Sequence, residues 1–341
     1  MKVNRQVLLE SRPVGTPVEQ NFRVIENPIR QIADGEVLIQ NLYISLDAGF
    51  RNWMKEGSGD HILPAMEIGE PVMGLTLGRV VESKNPKLPL GDLLMIRVSW
   101  EEYSISNGID EWYVKLPEGI DAPLSYYLGI LGDTGLSAYF GLTDVGKLQL
   151  GETLLVSGAG GAVGSVAGQI GKIFGARSVG IAGSDQKCQR LMDELGYDAA
   201  VNYRDTEDLS AAIGEACPNG VDVYFDNTGG MILGSALFRM NVAGRIACCG
   251  VVSQYDTDTP EPGPKGVPGL LVNKRITMQG FLLFDYEARY AEARNEIYAW
   301  LTSGKMTSLQ DEVSGLAAAP EAFVDLLSGG NVGTRIVRLD Q

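Results

Sequence analysis

Residues 153–165 read Thr153-Leu154-Leu155-Val156-Ser157-Gly158-Ala159-Gly160-Gly161-Ala162-Val163-Gly164-Ser165. An apolar strand here enters a glycine-dense turn, and residues 166–174 predict a helix after it. A turn that lets its backbone approach a pyrophosphate and keeps the next helix close to the sheet needs positions without a Cβ, which accounts for Gly158, Gly161 and Gly164. The N–H groups at the start of the helix then suit phosphates. We interpret the stretch as a dinucleotide-binding turn; a merely tight strand-to-helix turn is the alternative.

The end of the next predicted strand, residues 178–182, indicates which dinucleotide is bound. An NAD site has Asp or Glu there to accept from the ribose 2′-hydroxyl, whereas this chain has Gly183 and Ser184, followed by Lys187. A missing carboxylate beside a cation suits a 2′-phosphate. We therefore predict NADP(H), with Lys187 as charge partner and Ser184 and Tyr203 as hydrogen bonders. A solvated Lys187 is the alternative, and we expect Asp185 to be a helix N-cap.

Length and composition set the class of protein. The chain of 341 residues suggests two domains, and 45% hydrophobic with 21% charged residues is typical of a soluble globular enzyme. A net charge of −15 argues against nucleic-acid and anionic-membrane partners. Because we find neither a secretory signal nor an apolar run of ~18 residues, we expect a cytoplasmic location.

Few residues of the chain are candidates for metal binding or for nucleophilic catalysis. His61 is the only histidine, and the four cysteines lack the short spacing of a zinc site. We expect His61 to be a loop residue, Cys248 and Cys249 to be small buried side chains, and no metal. Hydride transfer from a nicotinamide cofactor remains the strongest option.

The chain is organised around the glycine turn. Short apolar runs separated by Gly and Pro predict a β-rich domain up to about residue 125. Strand–helix alternation follows, with predicted strands at 154–156, 178–182, 199–201, 221–225 and 245–248. This alternation predicts a doubly wound parallel sheet with helices on both faces, an α/β fold. We expect domains at 1–125 and 126–307, and a segment 308–341 whose edge strand, 334–339, returns to the first domain.

Two further segments attract attention. Asn227 follows the strand 221–225 at a carboxyl end, where open sheets bind ligands, so it is a cofactor-contact candidate or a turn-forming Asn. Residues 258–268 are proline-rich, and we expect no regular structure there. A long irregular loop inside a compact domain is often functional, and we expect Tyr255 to lie between the sheet edge and this loop.

Together these motifs resemble the zinc-independent medium-chain reductases. The resemblance rests on Val156-Ser157, Gly161 to Val166, Gly168 to Ile170, Val179 to Gly183, Lys187-Cys188, Asp222 to Asn227, Ser253 to Tyr255, Tyr43 to Asp47, Glu67 to Glu70 and Gly135 to Leu142. Within that family the chain is similar to the leukotriene B4 12-hydroxydehydrogenase / prostaglandin reductase group, which includes bacterial NADPH-dependent curcumin reductase-like and 2-alkenal reductases. The similarity spans nearly the whole chain.

The resemblance implies a fold, an activity and a set of cofactor contacts. It implies a GroES-like N-terminal domain, a Rossmann domain, a homodimer, and NADPH-dependent reduction of the C=C bond of α,β-unsaturated ketones or aldehydes. The implied cofactor contacts are Gly161, Ala162, Val163, Gly164, Lys187, Tyr203, Asn227, Cys249, Gly250, Val251, Ser253, Tyr255, Phe281, Leu282, Leu283 and Asn331. Phe281, Leu283 and Asn331 come from the resemblance alone.

The expected reaction delivers a hydride to the β-carbon of an enone and leaves an enolate oxygen to be stabilised. Tyr255 is the candidate catalytic residue, as hydrogen-bond donor or proton donor; its alternative role is to pack on the cofactor. Two departures from the family bear on the pocket: Gly49 stands in a loop that has no tyrosine here, and Asp133 replaces a more apolar stretch. The rival functions are a quinone reductase, a metal-free carbonyl reductase, or an NADPH-binding sensor without turnover.

Overall fold

The computed structural model describes residues 2–60, 63–117, 119, 121–257, 259 and 263–340. His61 therefore lies outside the described residues, as do Asp258 and residues 260–262 of the proline-rich loop. The described chain forms two compact units. The first comprises residues from 1–128, 310–330 and 335–341, and the second comprises 129–309 and 331–334.

Fifteen strands and eight α-helices make up the described part of the chain. The strands are Val3–Leu9 (β1), Phe22–Pro28 (β2), Val37–Leu46 (β3), Met73–Ser83 (β4), Leu93–Ser99 (β5), Tyr103–Ser106 (β6), Tyr113–Lys115 (β7), Thr153–Val156 (β8), Arg177–Ala182 (β9), Ala199–Asn202 (β10), Val221–Asp226 (β11), Met240–Cys248 (β12), Thr277–Gly280 (β13), Gln310–Ser314 (β14) and Thr334–Arg338 (β15). The helices are Asp133–Phe140 (α1), Ala162–Ile173 (α2), Asp185–Leu195 (α3), Leu209–Ala216 (α4), Gly230–Arg239 (α5), Val267–Lys274 (α6), Tyr290–Thr302 (α7) and Ala319–Leu327 (α8). None of the described helices has both the length and the apolar character needed to cross a membrane.

The first unit is β-rich. Its main sheet has the strand order β14-β15-β3-β4-β5-β7, with β6 paired to β3, and β1 pairs with β2 separately. Trp100 anchors the core, because its buried ring stacks on Phe22 at 5.8 Å between centroids and meets Phe323 of α8 edge-on at 5.3 Å. The C-terminal part of the chain therefore completes this core.

The strand expected at residues 334–339 is present, but it is not an edge strand. β15 lies between β14 and β3 and pairs antiparallel with β3, Val337 opposite Ile44. Four of its five residues are buried. The polar sequence of β14 carries no alternating apolar pattern, and for this reason the covering strand was missed.

The second unit is a six-stranded parallel sheet in the order β10-β9-β8-β11-β12-β13. Every strand predicted between residues 154 and 248 is present, and the predicted α/β fold class is confirmed. From β8 the chain moves outward to β9 and β10 on one side of the sheet, and from β11 it moves outward to β12 and β13 on the other side, so the strand order switches between β8 and β11. Such a switch point is where open α/β sheets bind ligands.

Helix boundaries differ from the prediction in two places. α2 begins at Ala162 rather than at residue 166, because Gly161 is its N-cap. α6 begins at Val267 although Pro268 follows, since proline in a first helical turn costs no hydrogen bond. The expectation of irregular structure up to residue 268 was wrong at that end.

Glycines let α2 approach the sheet closely. A Cβ on Gly168 would lie 1.9 Å from a ring carbon of Tyr197, and one on Gly171 would lie 2.6 Å from a methyl of Leu154. Both glycines are buried and three residues apart, so they share the face of α2 that rests on the strands.

We predict that Gly168→Ala lowers stability. The added methyl must displace a buried tyrosine, and overpacking of this kind costs roughly 1–3 kcal/mol or more. The measurement is the thermal unfolding midpoint. Gly269→Ala in α6 is the matched control: nothing lies within 4 Å of its new methyl. It should gain roughly 0.5–1 kcal/mol from helix propensity. Equal midpoints for the two variants would contradict the packing account.

Candidate functional site

The glycine turn after β8 has the backbone geometry of an anion cradle. Gly158 has a φ of +57°, and the Gly161 N–H donates to the Gly158 carbonyl at 3.0 Å. A Cβ on Gly164 would lie 2.3 Å from the same carbonyl oxygen, so only glycine fits there. Gly161, the N-cap, has no side chain to cap α2. The first turn of α2, with Ala162 and Val163, therefore presents its amides without a side-chain cap of its own.

A short segment from the end of the chain joins this turn. The Gly333 N–H donates to the Gly160 carbonyl at 2.9 Å, and Gly333 forms a parallel bridge with Gly161. Buried Asn331 donates its side-chain amide to the Gly333 carbonyl at 2.8 Å. Asn331, which only the resemblance suggested, thus lies beside the glycine turn within the second unit.

The carboxylate of Asp226 organises the end of β11. It is 2% exposed, and its Oδ1 accepts from Ser157 Oγ at 3.0 Å and from the backbone N–H groups of Thr228 and Gly229 at 3.0 and 2.9 Å. Asn227 is held in turn by Ser157: its side-chain amide donates to the Ser157 carbonyl at 2.7 Å. The glycine turn and the loop after β11 are therefore joined through one buried carboxylate.

The loop after β12 is attached to the same strand end. Cys249 and Gly250 donate their N–H groups to the Asp226 carbonyl at 2.8 and 3.1 Å, and the Ser253 hydroxyl donates to the Thr228 carbonyl at 2.6 Å. These bonds bring the predicted contacts 249–253 beside Asn227. The sequence predicted both segments as candidates, and the structure brings them together.

Tyr255 turns back toward this loop. Its Oη accepts from the Val251 N–H at 3.3 Å, and a Cβ on Gly250 would lie 3.3 Å from that oxygen. Tyr255 is half-buried. A phenol that accepts a hydrogen bond is a better donor, because its developing phenolate charge is stabilised.

Lys187 and Tyr203 both follow strands whose ends meet, because the Tyr203 N–H donates to the Ala182 carbonyl at the end of β9 at 3.1 Å. The Ser184 hydroxyl accepts from the Lys187 N–H at 3.3 Å and caps α3, so the prediction that Asp185 is the N-cap was wrong. The Lys187 side chain lies along the glycine turn, its Cδ 3.3 Å from where a Cβ of Gly160 would be. Tyr203 lies against Gly183, whose Cβ would come within 3.4 Å of the Tyr203 Oη.

The residues 281–283 lie at an aromatic cluster. Phe281 packs edge-on against Phe225 and Tyr286, with centroids 6.4 Å apart in both cases. Its ring leaves no space for a Cβ on Gly141, which would be 2.8 Å away. Leu282 is exposed, and the half-buried Leu283 begins a short 3₁₀ helix.

Three residues that contact the predicted site residues carried no prediction of their own. Ser157 and Asp226 stood only within resembling motifs, and Arg204, directly after Tyr203, was not considered. A polar residue at the buried end of an apolar strand is the signal that could have identified the first two.

The two family departures lie in different units. In the first unit, the Gly49 N–H donates to Asp47 Oδ1 at 2.6 Å at the start of a short 3₁₀ helix. In the second unit, Asp133 begins α1.

Cys248 and Cys249 are half-buried rather than buried. Burial, with Asp226 nearby, raises the pKa of the Cys248 thiol to about 11. Cys248 therefore remains a neutral thiol at physiological pH. Within the described ranges, no group of three or more His, Cys, Asp and Glu side chains could hold a metal ion.

Comparison with known proteins places this site in a family. Residues 5–114 match the N-terminal domain of oxidoreductase family, and residues 162–299 match the zinc-binding dehydrogenase family. The chain is 38% identical to the NADPH-dependent curcumin reductase of Escherichia coli strain K12 over 98% of this chain and 97% of that protein. It is 39% identical to the NADP(+)-dependent 2-alkenal reductase of Nicotiana tabacum over 99% and 98%.

The chain belongs to the medium-chain dehydrogenase/reductase family. A solved relative, CurA from Vibrio vulnificus in complex with NADPH, superimposes with a TM-score of 0.92 at 37% identity and covers 99% of both chains. The predicted family, with its curcumin reductase and alkenal reductase group, is confirmed. For a medium-chain reductase, the switch point between β8 and β11 with its glycine turn is the expected location of a nucleotide.

We predict that alkylation of Cys248 in the native protein has an unusual pH profile. Thiolates react and thiols do not, so the rate should keep rising until the pH approaches 11. Peptide mapping by mass spectrometry after timed iodoacetamide treatment measures this rate. The same peptide in the denatured chain is the control and should level off above its ordinary pKa of about 8.5. An identical profile in both states would contradict the stated environment of Cys248.

Proposed function

We propose that this chain is an NADPH-dependent oxidoreductase that reduces the C=C bond of α,β-unsaturated ketones and aldehydes. The observation that carries the proposal is the near-full-length similarity to a curcumin reductase and a 2-alkenal reductase. The glycine turn, the cation beside it and the polar loops after β11 and β12 agree with such a role.

The fit of the described residues to NADP(H) rests on three observations. Gly164 and Gly161 leave room at the start of α2, where amides suit a pyrophosphate. Gly183 stands where an NAD-selective site has a carboxylate. Lys187 and Tyr203 lie beside Gly160 and Gly183, with a charge and a hydroxyl that suit a 2′-phosphate. When bound, NADPH supplies a hydride from its nicotinamide C4.

The remaining predicted contacts have supporting roles in the proposal. Asn227 and the run Cys249, Gly250, Val251 and Ser253 are tied together by Asp226 and would line the nicotinamide side. Asn331 would border the pyrophosphate turn. Phe281, with Leu282 and Leu283, would form an apolar wall. Asp226 touches none of the reacting atoms in this scheme and acts as a positioning residue.

Tyr255 is the candidate for stabilising the oxygen that becomes negative as the enone is reduced. The Val251 N–H, donating to Tyr255 Oη at 3.3 Å, strengthens the phenol as a donor. A donor aimed at a developing oxyanion contributes on the order of 3 kcal/mol when water is excluded. The same hydroxyl could protonate the α-carbon. If Tyr255 only packs on the cofactor, its hydroxyl is dispensable.

The first test compares NADPH with NADH at 340 nm, using a simple enone and a quinone, and then identifies the product. We expect NADPH oxidation with formation of the saturated ketone. An allylic alcohol would indicate a carbonyl reductase, and turnover with the quinone alone would indicate a quinone reductase. NADPH binding without turnover on any acceptor would favour the sensor and contradict the proposal.

We predict that Tyr255→Phe lowers kcat by roughly 100-fold with little change in the dissociation constant of NADPH, because a 3 kcal/mol loss in the transition state has that size. Steady-state kinetics and fluorescence titration measure the two quantities. Ser253→Ala is the control in the same loop: it loses the bond to the Thr228 carbonyl, so it should weaken NADPH binding rather than chemistry. A kcat/KM of Tyr255→Phe within about twofold of wild type would remove the hydroxyl from the reaction.

Three finer features complete the proposal. We expect a metal-independent enzyme, and elemental analysis of active protein should find no stoichiometric zinc. A cytoplasmic location, checked by cell fractionation, fits use of the cellular NADPH pool.

We expect a homodimer: β13 ends the described sheet and its four residues are exposed, which suits pairing with a second copy. Light scattering should give twice the chain mass of 36.7 kDa, and a monomer would contradict the dimer.

A further inference from the structure

Arg204 lies at the rim of the site beside Gly183 and Tyr203. Its Nε donates to the Tyr203 Oη at 3.3 Å, and its Cζ is 5.7 Å from the centroid of the Tyr203 ring. A Cβ on Gly183 would come 3.3 Å from Arg204 Nε as well as 3.4 Å from Tyr203 Oη. Arg204, Tyr203 and Gly183 therefore form one continuous surface at the end of β9.

The backbone under Arg204 is fixed although its side chain is exposed. The Arg204 N–H donates to Asn202 Oδ1 at 3.1 Å, and the Thr206 hydroxyl donates to the Asn202 carbonyl at 2.8 Å. The Asn202 side-chain amide donates to Asp185 Oδ1 at 2.8 Å. One asparagine thus anchors Arg204 and also engages the carboxylate most able to repel an anion at this strand end.

The acidic surroundings of Arg204 favour a second cation at this strand end. The chain carries a net charge of −15, and Asp205, Glu207 and Asp208 follow Arg204 directly. The methylene chain of Lys187 lies along Gly160 of the glycine turn, with its Cδ 3.3 Å from where a Cβ of that glycine would be. A single ammonium in such surroundings attracts a phosphate dianion weakly at physiological ionic strength. A guanidinium offers a planar pair of donors that matches phosphate geometry.

We propose that Arg204 is a specificity-determining residue that binds the 2′-phosphate of NADPH together with Lys187, and that NADH is disfavoured because it lacks the phosphate that these two side chains bind. Tyr203 orients the guanidinium through its ring and hydroxyl. This inference rests on the proposed NADPH-dependent function.

The test uses binding of nucleotide fragments, which is independent of turnover. Calorimetry measures the dissociation constants of adenosine 2′,5′-bisphosphate and adenosine 5′-monophosphate for the wild type, Arg204→Gln and Arg204→Lys. We expect Arg204→Gln to lower the affinity for the bisphosphate by on the order of 10-fold or more and the affinity for the monophosphate by less than about twofold. The substitution removes a charge-assisted bond to the 2′-phosphate, which the monophosphate does not carry. Arg204→Lys should recover part of that loss.

The matched control is Arg190→Gln in α3. It removes the same charge from an exposed arginine that pairs with Glu194 one turn away. It should leave both affinities unchanged, which separates direct contact from general charge. NADPH and NADH titrations of the same variants should follow the bisphosphate and monophosphate, respectively.

Three outcomes would overturn the inference. A bisphosphate affinity of Arg204→Gln within twofold of wild type, with that of Lys187→Gln strongly reduced, would leave Lys187 as the only cation at this site and leave the proposed function intact. Wild type that binds the bisphosphate no better than the monophosphate would reject both the inference and the NADPH assignment. Equal losses of bisphosphate affinity in Arg204→Gln and Arg190→Gln would mean that overall charge causes the effect, and would reject a direct contact of Arg204 with the phosphate.

Discussion

The buried carboxylate of Asp226 accepts the hydrogen bonds that hold the nucleotide site of the second unit together. Its Oδ1 binds Ser157 at the end of β8 and the amides of Thr228 and Gly229 after β11, while its backbone carbonyl binds Cys249 after β12. A carboxylate taken out of water is tolerable only when donors converge on it. Asp226 therefore fixes the three loops relative to one another, although it touches no reactant in our scheme. The residues that would contact the cofactor are carried by these loops and are held in place with them.

The sheet order explains why residues so distant in sequence meet. β8 lies between β9 and β11, and all of these strands are parallel, so the segments that follow them emerge at one edge. The glycine turn, the Lys187 region and the Asn227 loop share that edge by topology, and Gly333 adds the last segment by donating to Gly160. Glycines at 164, 168 and 171 keep α2 close enough to the sheet for its first turn to face this edge.

Much of this was predictable from sequence because local chemistry and tertiary context agree. The apolar strand before Gly158 predicts the glycine turn, and the absence of a carboxylate at Gly183 favours NADP(H) over NAD. The errors arose where context decided: Asp185 and Ser184 are both good N-caps, and only the backbone geometry selects Ser184. β14 is too polar to be recognised without its partner β15. Arg204 was missed because its relation to Tyr203 depends on the turn after β10, which no periodicity encodes.

The central claim is that this enzyme transfers a hydride from NADPH to the β-carbon of an enone. The most direct measurement uses NADPH that carries deuterium at both C4 positions, with a simple enone, and locates the label in the product by NMR. The account predicts one deuterium on the carbon β to an intact carbonyl and solvent hydrogen on the α-carbon. Deuterium on the carbinol carbon of an allylic alcohol, or a saturated ketone without label, would contradict it.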